Sequence, residues 1–269
     1  ELYIEKGYLN VEIKSELLLS KEETVLFGGR GKDLIRDILF TIKENNKIKI
    51  GKIEFNGNSA FSDFRLRWKM KETKQQSWYF FWRSSFDNKK FEEDMNLLTT
   101  FYKNKGYRDF HFISDSIEYS EDGGKMNIVL TVEEGPLYKY RNFSWEGMTL
   151  FDQQILERAL ALEKGKKYSD EDFNMAVFSR VQGLYLDRGY IYSRVEPKIT
   201  PVEKDSLDIH FVITENHQVS INQISIVGNT RTRENVIRRQ LRVYPGDIYN
   251  QDLIARSYRE IMMLNYFAN

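Results

Sequence analysis

A pattern of four apolar residues followed by glycine occurs three times in this chain. The second copy begins 90 positions after the first, and the third begins 81 positions after the second. The copies are Ile48, Ile50, Ile53, Phe55, Gly57; Tyr138, Tyr140, Phe143, Trp145, Gly147; and Val219, Ile221, Ile224, Ile226, Gly228. Chance rarely keeps five positions in step twice, so we expect head-to-tail modules of about 80 residues rather than one large core. Stacked modules usually form scaffolds with extended binding surfaces.

The composition restricts the partners and the chemistry. The 269 residues include 40 basic and 40 acidic side chains, so no net charge attracts nucleic acid, and we expect no nucleic-acid partner. The absence of cysteine excludes disulfides, thiolate metal sites and thiol catalysis. No apolar run approaches the roughly 20 residues that span a bilayer. The chain starts in mid-pattern at Glu1, which suggests a fragment of a longer protein.

Each copy of the pattern predicts a strand with a bulge. Ile48 and Ile50 share one face of a strand, but two residues intervene before Ile53, and the same break in period-two alternation recurs in the other copies. Gly57-Asn58 then predicts a turn. A helix should follow, and we expect this helix to end before Gly165 in the second copy and before Gly246 in the third.

A second helix has the same start signal in all three copies. An aromatic residue precedes a capping residue, and an apolar residue stands four positions after the cap, as a hydrophobic staple requires. The three sets are Phe86, Asp87, Phe91; Tyr168, Ser169, Phe173; and Tyr249, Asn250, Ile254. The helix is predicted to stop at Gly106-Tyr107 and at Gly189-Tyr190, and the chain's opening at Gly7-Tyr8 has the same dipeptide.

Two strands are predicted after each Gly-Tyr. The second of them alternates apolar and polar residues, as a half-buried strand of an antiparallel pair does, and an acidic residue follows it. The alternating sets are Ile38, Phe40, Ile42; Ile128, Leu130, Val132; and Ile209, Phe211, Ile213, and the acidic residues are Glu44, Glu134 and Glu215. The predicted order is therefore strand, helix, helix, strand, strand, with two helices over one face of a small sheet.

This arrangement resembles the POTRA modules of outer-membrane assembly factors of the BamA type. The resemblance covers the whole chain and includes Arg238-Arg239-Gln240-Leu241 followed by Tyr244-Pro245-Gly246-Asp247 in the last copy. It implies an α+β fold of tandem POTRA-like β-α-α-β-β modules, each a three-stranded mixed sheet covered by two antiparallel helices. The predicted ranges are module 1 (1–46, the C-terminal part of a truncated module), module 2 (47–135), module 3 (136–216) and module 4 (217–269, the N-terminal part of a final module).

The resemblance also implies location, function and partners. The chain would be the periplasmic arm of an outer-membrane protein, with the membrane barrel of the same parent chain beyond Asn269. It would bind unfolded outer-membrane β-barrel precursors and accessory assembly lipoproteins, with no catalytic residue, metal or cofactor. Two alternatives remain open: the periplasmic POTRA region of a polypeptide-secreting outer-membrane transporter, and a cell-division scaffold.

The candidate substrate site is an exposed sheet edge, because its unpaired N–H and C=O groups can pair with any extended peptide. The resemblance places this edge in the strand after Gly-Tyr, which in module 2 comprises Phe112, Ile113, Ser114, Asp115, Ser116, Ile117, Glu118 and Tyr119. In module 3 the same strand contains Pro197 and Pro201, which cannot donate. Module 2 is therefore the better acceptor, and Ser116→Pro should weaken substrate capture. Alternatively, the edge is merely exposed and kept idle by Asp115 and Glu118.

Two further segments are candidate partner sites. The aromatic run Trp78, Tyr79, Phe80, Phe81 and Trp82 either docks a partner or the membrane interface, or packs against a neighbouring module. By resemblance, Arg238, Arg239 and Gln240 lie on the helix that docks an accessory lipoprotein, although Gln240 stands where the family commonly has glutamate. The three histidines, His111, His210 and His217, have no metal-ligand spacing, and no nucleophile–base pair is expected.

Overall fold

A computed structural model describes residue 8 and residues 11–19, 36–44, 49–75, 86–120 and 125–267. The chain divides into two compact units. One unit comprises residues 1–101 and 110–134, and the other comprises residues 102–109 and 135–269.

The first unit contains a two-stranded sheet and a three-stranded sheet. Its elements are β1 (Glu12–Leu19), β2 (Arg36–Lys43), β3 (Lys49–Asn56), α1 (Asp63–Lys69), α2 (Asn88–Lys103), β4 (His111–Tyr119) and β5 (Lys125–Glu133). The last two residues of α2 fall in the second unit. Strands β1 and β2 are antiparallel, and five large apolar side chains on one face of this pair are exposed: Ile13, Leu17, Ile38, Phe40 and Ile42.

The three-stranded sheet is mixed and has the order β3-β5-β4. Strand β3 runs parallel to β5, and β4 runs antiparallel to it. The register of β3 shifts between Ile50 and Lys52, at the position where the sequence predicts a bulge. Alternate residues of β5 are buried against the helices, and Ile128 and Leu130 are fully enclosed. The order of elements and the sheet confirm the predicted fold class.

The second unit repeats this plan. Its elements are β6 (Lys139–Glu146), α3 (Gln153–Leu160), α4 (Asp170–Asn174), a π-helical segment (Met175–Val181), α5 (Gln182–Leu186), β7 (Arg194–Val202), β8 (Ser206–Thr214), α6 (Glu234–Arg238) and α7 (Gln251–Met263). The sheet order is β6-β8-β7, with β6 parallel and β7 antiparallel to β8, and β6 has its bulge between Tyr140 and Asn142. The segment from α4 to α5 is continuous, and its π turn was not anticipated from the sequence.

The predicted helix starts and stops are mostly correct. The staple rings of Phe86 and Phe91 lie 5.7 Å apart, and the side chain of Asn250 accepts a hydrogen bond from the N–H of Leu253 at 2.8 Å. The first helix of module 3 ends before Gly165 as predicted, but Gly165 is not its stop residue. Helix α3 ends at Leu160, where Ala161 takes the left-handed conformation, and Gly165 instead donates its N–H to the carbonyl of Tyr140 at 2.6 Å.

In module 4 the predicted strand does not form over most of its length. Val219 and Ile221 exchange backbone hydrogen bonds with the segment 246–249, as Tyr138 and Tyr140 do with 165–168 in module 3. Residues 221–229 are in neither helix nor strand, and Val227 is largely exposed. Among the described residues, no parallel strand equivalent to β5 or β8 lies beside this segment. The backbone groups of the segment therefore have no neighbouring strand with which to form a ladder of hydrogen bonds.

Carboxylates after the last strand of each sheet hold the turn after the first strand. Glu134 accepts hydrogen bonds from the backbone N–H groups of Ser59 and Ala60, at 3.1 and 3.0 Å. Glu215 accepts from those of Thr149 and Leu150, at 2.8 and 2.9 Å. Glu134 and Glu215, which the sequence marks as the acidic residues after these strands, are therefore structural caps, because they satisfy donors that the turn leaves unpaired.

The junctions within the second unit also repeat. The N–H of Tyr138 donates to the carbonyl of Gly106, and that of Val219 donates to the carbonyl of Gly189, both at 2.9 Å. Two residues before each of these glycines, a side chain caps the second helix of the following module. Asn104 accepts from Glu171 N, and Asp187 accepts from Asp252 N, both at 2.9 Å.

The Glu215 cap should make stability depend on pH. Burial alone would raise the pKa of this carboxyl, but the hydrogen bonds from Thr149 and Leu150 outweigh burial and lower the pKa below its ordinary value of 4.5. A lowered folded-state pKa adds stability that is present above about pH 4.5 and lost as pH falls further. We expect Glu215→Gln to flatten the acid dependence of urea unfolding below that pH. Wild-type and variant curves that fall in parallel would contradict this role.

Candidate functional site

The strand that the sequence analysis selects as a substrate acceptor is β4, and it lies at an edge of its sheet. Its residues are mostly exposed; only Phe112 and Ile117 are half-buried. Ile113 and Tyr119 are exposed apolar side chains on this strand, with 59% and 55% of their surfaces accessible. The edge therefore combines backbone groups with apolar side chains that an extended peptide could contact.

The direction of each amide on β4 follows from its pairing with β5. Ser120 donates its N–H to the carbonyl of Lys125 at 2.9 Å, so the backbone N–H and C=O groups of Ser120 face β5. In an antiparallel pair, the backbone groups of successive residues alternately face the partner strand and face away from it. The backbone groups of Ser114, Ser116 and Glu118 therefore face β5. The backbone groups of Asp115, Ile117 and Tyr119 point outwards, along the open edge.

The Ser116→Pro test suggested by the sequence is therefore aimed at the wrong amide. Ser116 pairs with Val129, and its N–H belongs to the ladder that holds β4 in the sheet. Proline at this position would remove an internal hydrogen bond and disturb the fold before it affected any bound peptide.

Module 3 shows which positions tolerate proline. Pro197 pairs with Phe211, and Pro201 pairs with Leu207. In module 2, Asp115 pairs with Leu130 and Tyr119 with Met126, which are the same positions of the repeat. The two prolines of β7 thus occupy the outward positions, where the sheet needs no donor. Of the three positions equivalent to Asp115, Ile117 and Tyr119, only Ile199 keeps a backbone N–H in β7, whereas all three keep one in β4.

The sequence analysis missed a bulge in β4. The register with β5 shifts between Phe112 and Ser114, so Ile113 is the extra residue. Strand β7 pairs with β8 without a shift. A bulge twists an edge and interrupts pairing, so the usable part of the β4 edge runs from Ser114 to Tyr119 rather than from Phe112. The alternation of apolar and polar residues around Ile113 does not indicate this bulge.

The arginines of helix α6 have different surroundings. Arg238 forms an ion pair with Glu234 and donates to the carbonyl of Ile224 at 3.5 Å. Arg67 of α1 does the same with Asp63 and the carbonyl of Ile53, so the equivalent arginine contacts the first segment of modules 2 and 4, which is the bulged strand β3 in module 2. Arg239 is exposed, and Gln240 is half-buried. The aromatic run Trp78 to Trp82 lies outside the described residues.

A polar network on the outer face of the module 3 sheet was also missed. His210 lies 2.9 Å from Ser144 through Nδ1 and 3.0 Å from Glu146 through Nε2. Beside it, Arg141 makes a bidentate pair with Asp208. Over the part of the chain that the structure describes, no group of three or more His, Asp or Glu side chains could hold a metal ion. Within the same residues, no helix has the apolar length that a bilayer crossing requires.

A family comparison identifies the modules. The POTRA family, described as a surface antigen variable number repeat, matches residues 48–135, 138–216 and 219–269. Two relatives are both outer membrane protein assembly factor BamA. The one from Neisseria meningitidis serogroup B is 33% identical over 272 residues, which cover 100% of this chain and 33% of the relative. The one from Nitratidesulfovibrio vulgaris is 25% identical, over 86% of this chain and 30% of the relative.

Solved structures agree on the fold. POTRA domains 3–5 of Haemophilus influenzae BamA match with a TM-score of 0.67 and 21% identity, over 82% of this chain and 87% of that one. The chain spans about a third of the length of the curated relatives it matches. The family match confirms the recognition made from the sequence and the periplasmic location that it implies. The chain belongs to the POTRA family, in the form found in BamA-type outer-membrane assembly factors.

Proposed function

We propose that this chain is a receptor arm for outer-membrane protein assembly and that it works by binding rather than by catalysis. Its relatives named as assembly factors support this proposal. The substrates would be unfolded outer-membrane β-barrel precursors, whose strands are extended peptides of about ten residues with alternating side chains. A receiver of many different barrels needs contacts that do not depend on side-chain identity, and backbone pairing provides them.

The observation that carries the proposal is the open edge of β4. Asp115, Ile117 and Tyr119 direct their N–H and C=O groups away from the sheet, so an incoming strand can extend it by one. Tyr119 is exposed at one end of this edge, and Ile113 is exposed at the bulge just beyond the other end, so both could pack against side chains of the peptide. Asp115 and Glu118 limit unwanted pairing with other edges, since charges on an edge oppose aggregation.

We expect the double variant Asp115→Pro/Tyr119→Pro to weaken peptide binding at least ten-fold. It transfers the proline pattern of β7 onto β4, where it removes two outward donors worth about 1 kcal/mol each in net terms. Binding is measured by fluorescence anisotropy with a labelled ten-residue peptide of alternating apolar and polar residues. Thermal unfolding should change little, because module 3 accommodates prolines at the same positions.

The matched control is Asp115→Ala/Tyr119→Ala, which changes the same side chains but keeps both donors. It should bind the peptide within about three-fold of the wild-type chain, because the backbone contacts remain. Equal affinity in the wild-type chain and in a folded proline variant would rule out capture at this edge.

The proposals for the remaining partners rest on the resemblance to BamA-type POTRA modules. An accessory lipoprotein would contact module 4 through Arg239, which is exposed, rather than through Arg238, which is occupied by Glu234 and Ile224. The membrane barrel of the parent chain would follow module 4, and module boundaries at 46, 135 and 216 are part of the same proposal.

A further inference from the structure

Helix α1 of module 2 carries two exposed aromatic side chains. Phe64 and Trp68 are 71% and 73% accessible, although aromatic side chains of this size are usually buried to a large extent. They are four residues apart and therefore adjacent on one face of the helix. The opposite face is anchored, because Leu66 and the following Met70 are fully buried in the core of the unit.

Cationic side chains form a second stripe beside the aromatic one. The Arg65 guanidinium lies 4.8 Å from the ring centre of Phe61 and 5.6 Å from that of Phe101, and the Lys69 ammonium lies 5.1 Å from Phe101. These contacts restrain the cations without neutralising them, since a ring carries no net charge. Lys71 adds a third exposed cation. Arg65, Lys69 and Lys71 make no ion pair with another described residue, whereas the neighbouring Arg67 pairs with Asp63.

The fold does not require this surface. The positions of Phe64 and Trp68 are occupied by Gln154 and Arg158 in module 3, and by Asn235 and Arg239 in module 4. The helix forms in all three modules. The combination of two exposed rings with neighbouring cations is therefore not repeated on the equivalent helices of modules 3 and 4.

We propose that Phe64, Arg65, Trp68, Lys69 and Lys71 form a docking face for a protein segment that carries carboxylates next to an apolar side chain. Tryptophan and arginine are the residues that most often dominate protein–protein binding energy. Arg65 is already oriented by two rings, so less conformational entropy is lost when it pairs with a carboxylate. Charge complementarity then selects the partner, because like charges on a competing surface would be repelled.

An anionic membrane surface is the other ligand that this chemistry could attract. Three cations are only modestly attracted to such a surface, and stable anchoring usually requires a stronger apolar signal than two rings on a seven-residue helix. A protein interface needs only a few well-placed anchors. The observations therefore favour the protein segment.

The test is photo-cross-linking from Phe64 in the protein as its cells make it. With p-benzoylphenylalanine at this position, we expect one protein adduct whose attached peptide, read by mass spectrometry, contains Asp or Glu near the cross-linked residue. Arg65→Glu/Lys69→Glu should lower the yield at least five-fold, and reversing the charge of the identified carboxylates should restore it. The same probe at Gln154, the equivalent position of module 3, should not give this adduct.

Three results would overturn the inference: no adduct, an adduct that charge reversal leaves unchanged, or attachment to a segment without carboxylates. Sedimentation of the purified chain with phosphatidylglycerol vesicles that is lost in Trp68→Ala would assign the face to a membrane instead. The altered side chains are exposed, so unchanged thermal unfolding serves as the folding check. Asp115→Pro/Tyr119→Pro should leave the adduct intact, which separates this face from the β4 edge.

Discussion

Replacing Gly147 with alanine is expected to disrupt the sheet of module 3. The glycine follows β6 and has a φ of +79°, and a Cβ added there would lie 2.2 Å from the carbonyl oxygen of Ile213. Cβ atoms do not approach other heavy atoms more closely than about 3 Å, and β8 cannot move away because it is the central strand. The positive φ adds a further cost of about 1–2 kcal/mol. We expect a total loss near 4 kcal/mol.

The measurement is hydrogen exchange of the β6 and β8 amides, where a loss of this size lowers protection roughly a thousand-fold. The control is Gly228→Ala, at the same position of the repeat in module 4. Gly228 has a similar φ of +81°, but a Cβ there meets no atom within 4 Å. Only the cost of the backbone conformation, about 1–2 kcal/mol, should remain. Equal losses in the two variants would show that the contact with Ile213 does not matter.

The second large effect is expected at Asp94, a buried carboxylate in α2. Asp94 has no accessible surface and accepts hydrogen bonds from the N–H groups of Lys71, Glu72 and Thr73, at 2.6, 3.1 and 2.5 Å. It therefore holds the chain where it leaves α1. Asp94→Ala leaves these donors without an acceptor in a largely buried site. Because each charged hydrogen bond contributes about 1.5–3 kcal/mol, we expect a loss of at least 3 kcal/mol in urea unfolding.

The repeat offers graded controls for this site. Ser257 stands at the position of Asp94 in module 4, and its Oγ accepts one bond from Arg242 N at 2.7 Å. Ser257→Ala should therefore cost only about 1 kcal/mol. Asp94→Asn keeps one acceptor oxygen and should fall between wild type and Asp94→Ala. If Asp94→Ala cost no more than Ser257→Ala, the carboxylate would have no special role.

The periodic features of the fold could be predicted from the sequence because local chemistry determines them. The bulges near Gly51 and Arg141 follow from a break in alternation, and the helix starts follow from caps and staples. The Ile113 bulge and the π turn at Met175–Val181 depend on packing, and no residue type marks them. The strand predicted from Val219 failed because a strand needs a partner, which a local pattern does not show.

The candidate site was only partly predictable. The resemblance places an open edge at the strand after Gly-Tyr, and β4 does lie at an edge of its sheet. The sequence does not give the direction of each amide, and Ser116 was therefore chosen wrongly. A signal was nevertheless available. Pro197 and Pro201 mark the outward positions of β7, and aligning the two modules would have transferred them to Asp115 and Tyr119. The exposure of Phe64 and Trp68 had no comparable signal, since aromatic residues at helical spacing usually face a core.

The junction contacts also bear on how such arms could be redesigned. Gly106 and Gly189 present the same carbonyl to the next module, and Asn104 and Asp187 cap the same amide of its second helix. Two contacts of each connection therefore recur at equivalent positions, one between backbone atoms and one from a capping side chain. Because the same contacts recur at both junctions, segments cut just after them should be interchangeable between arms of different length.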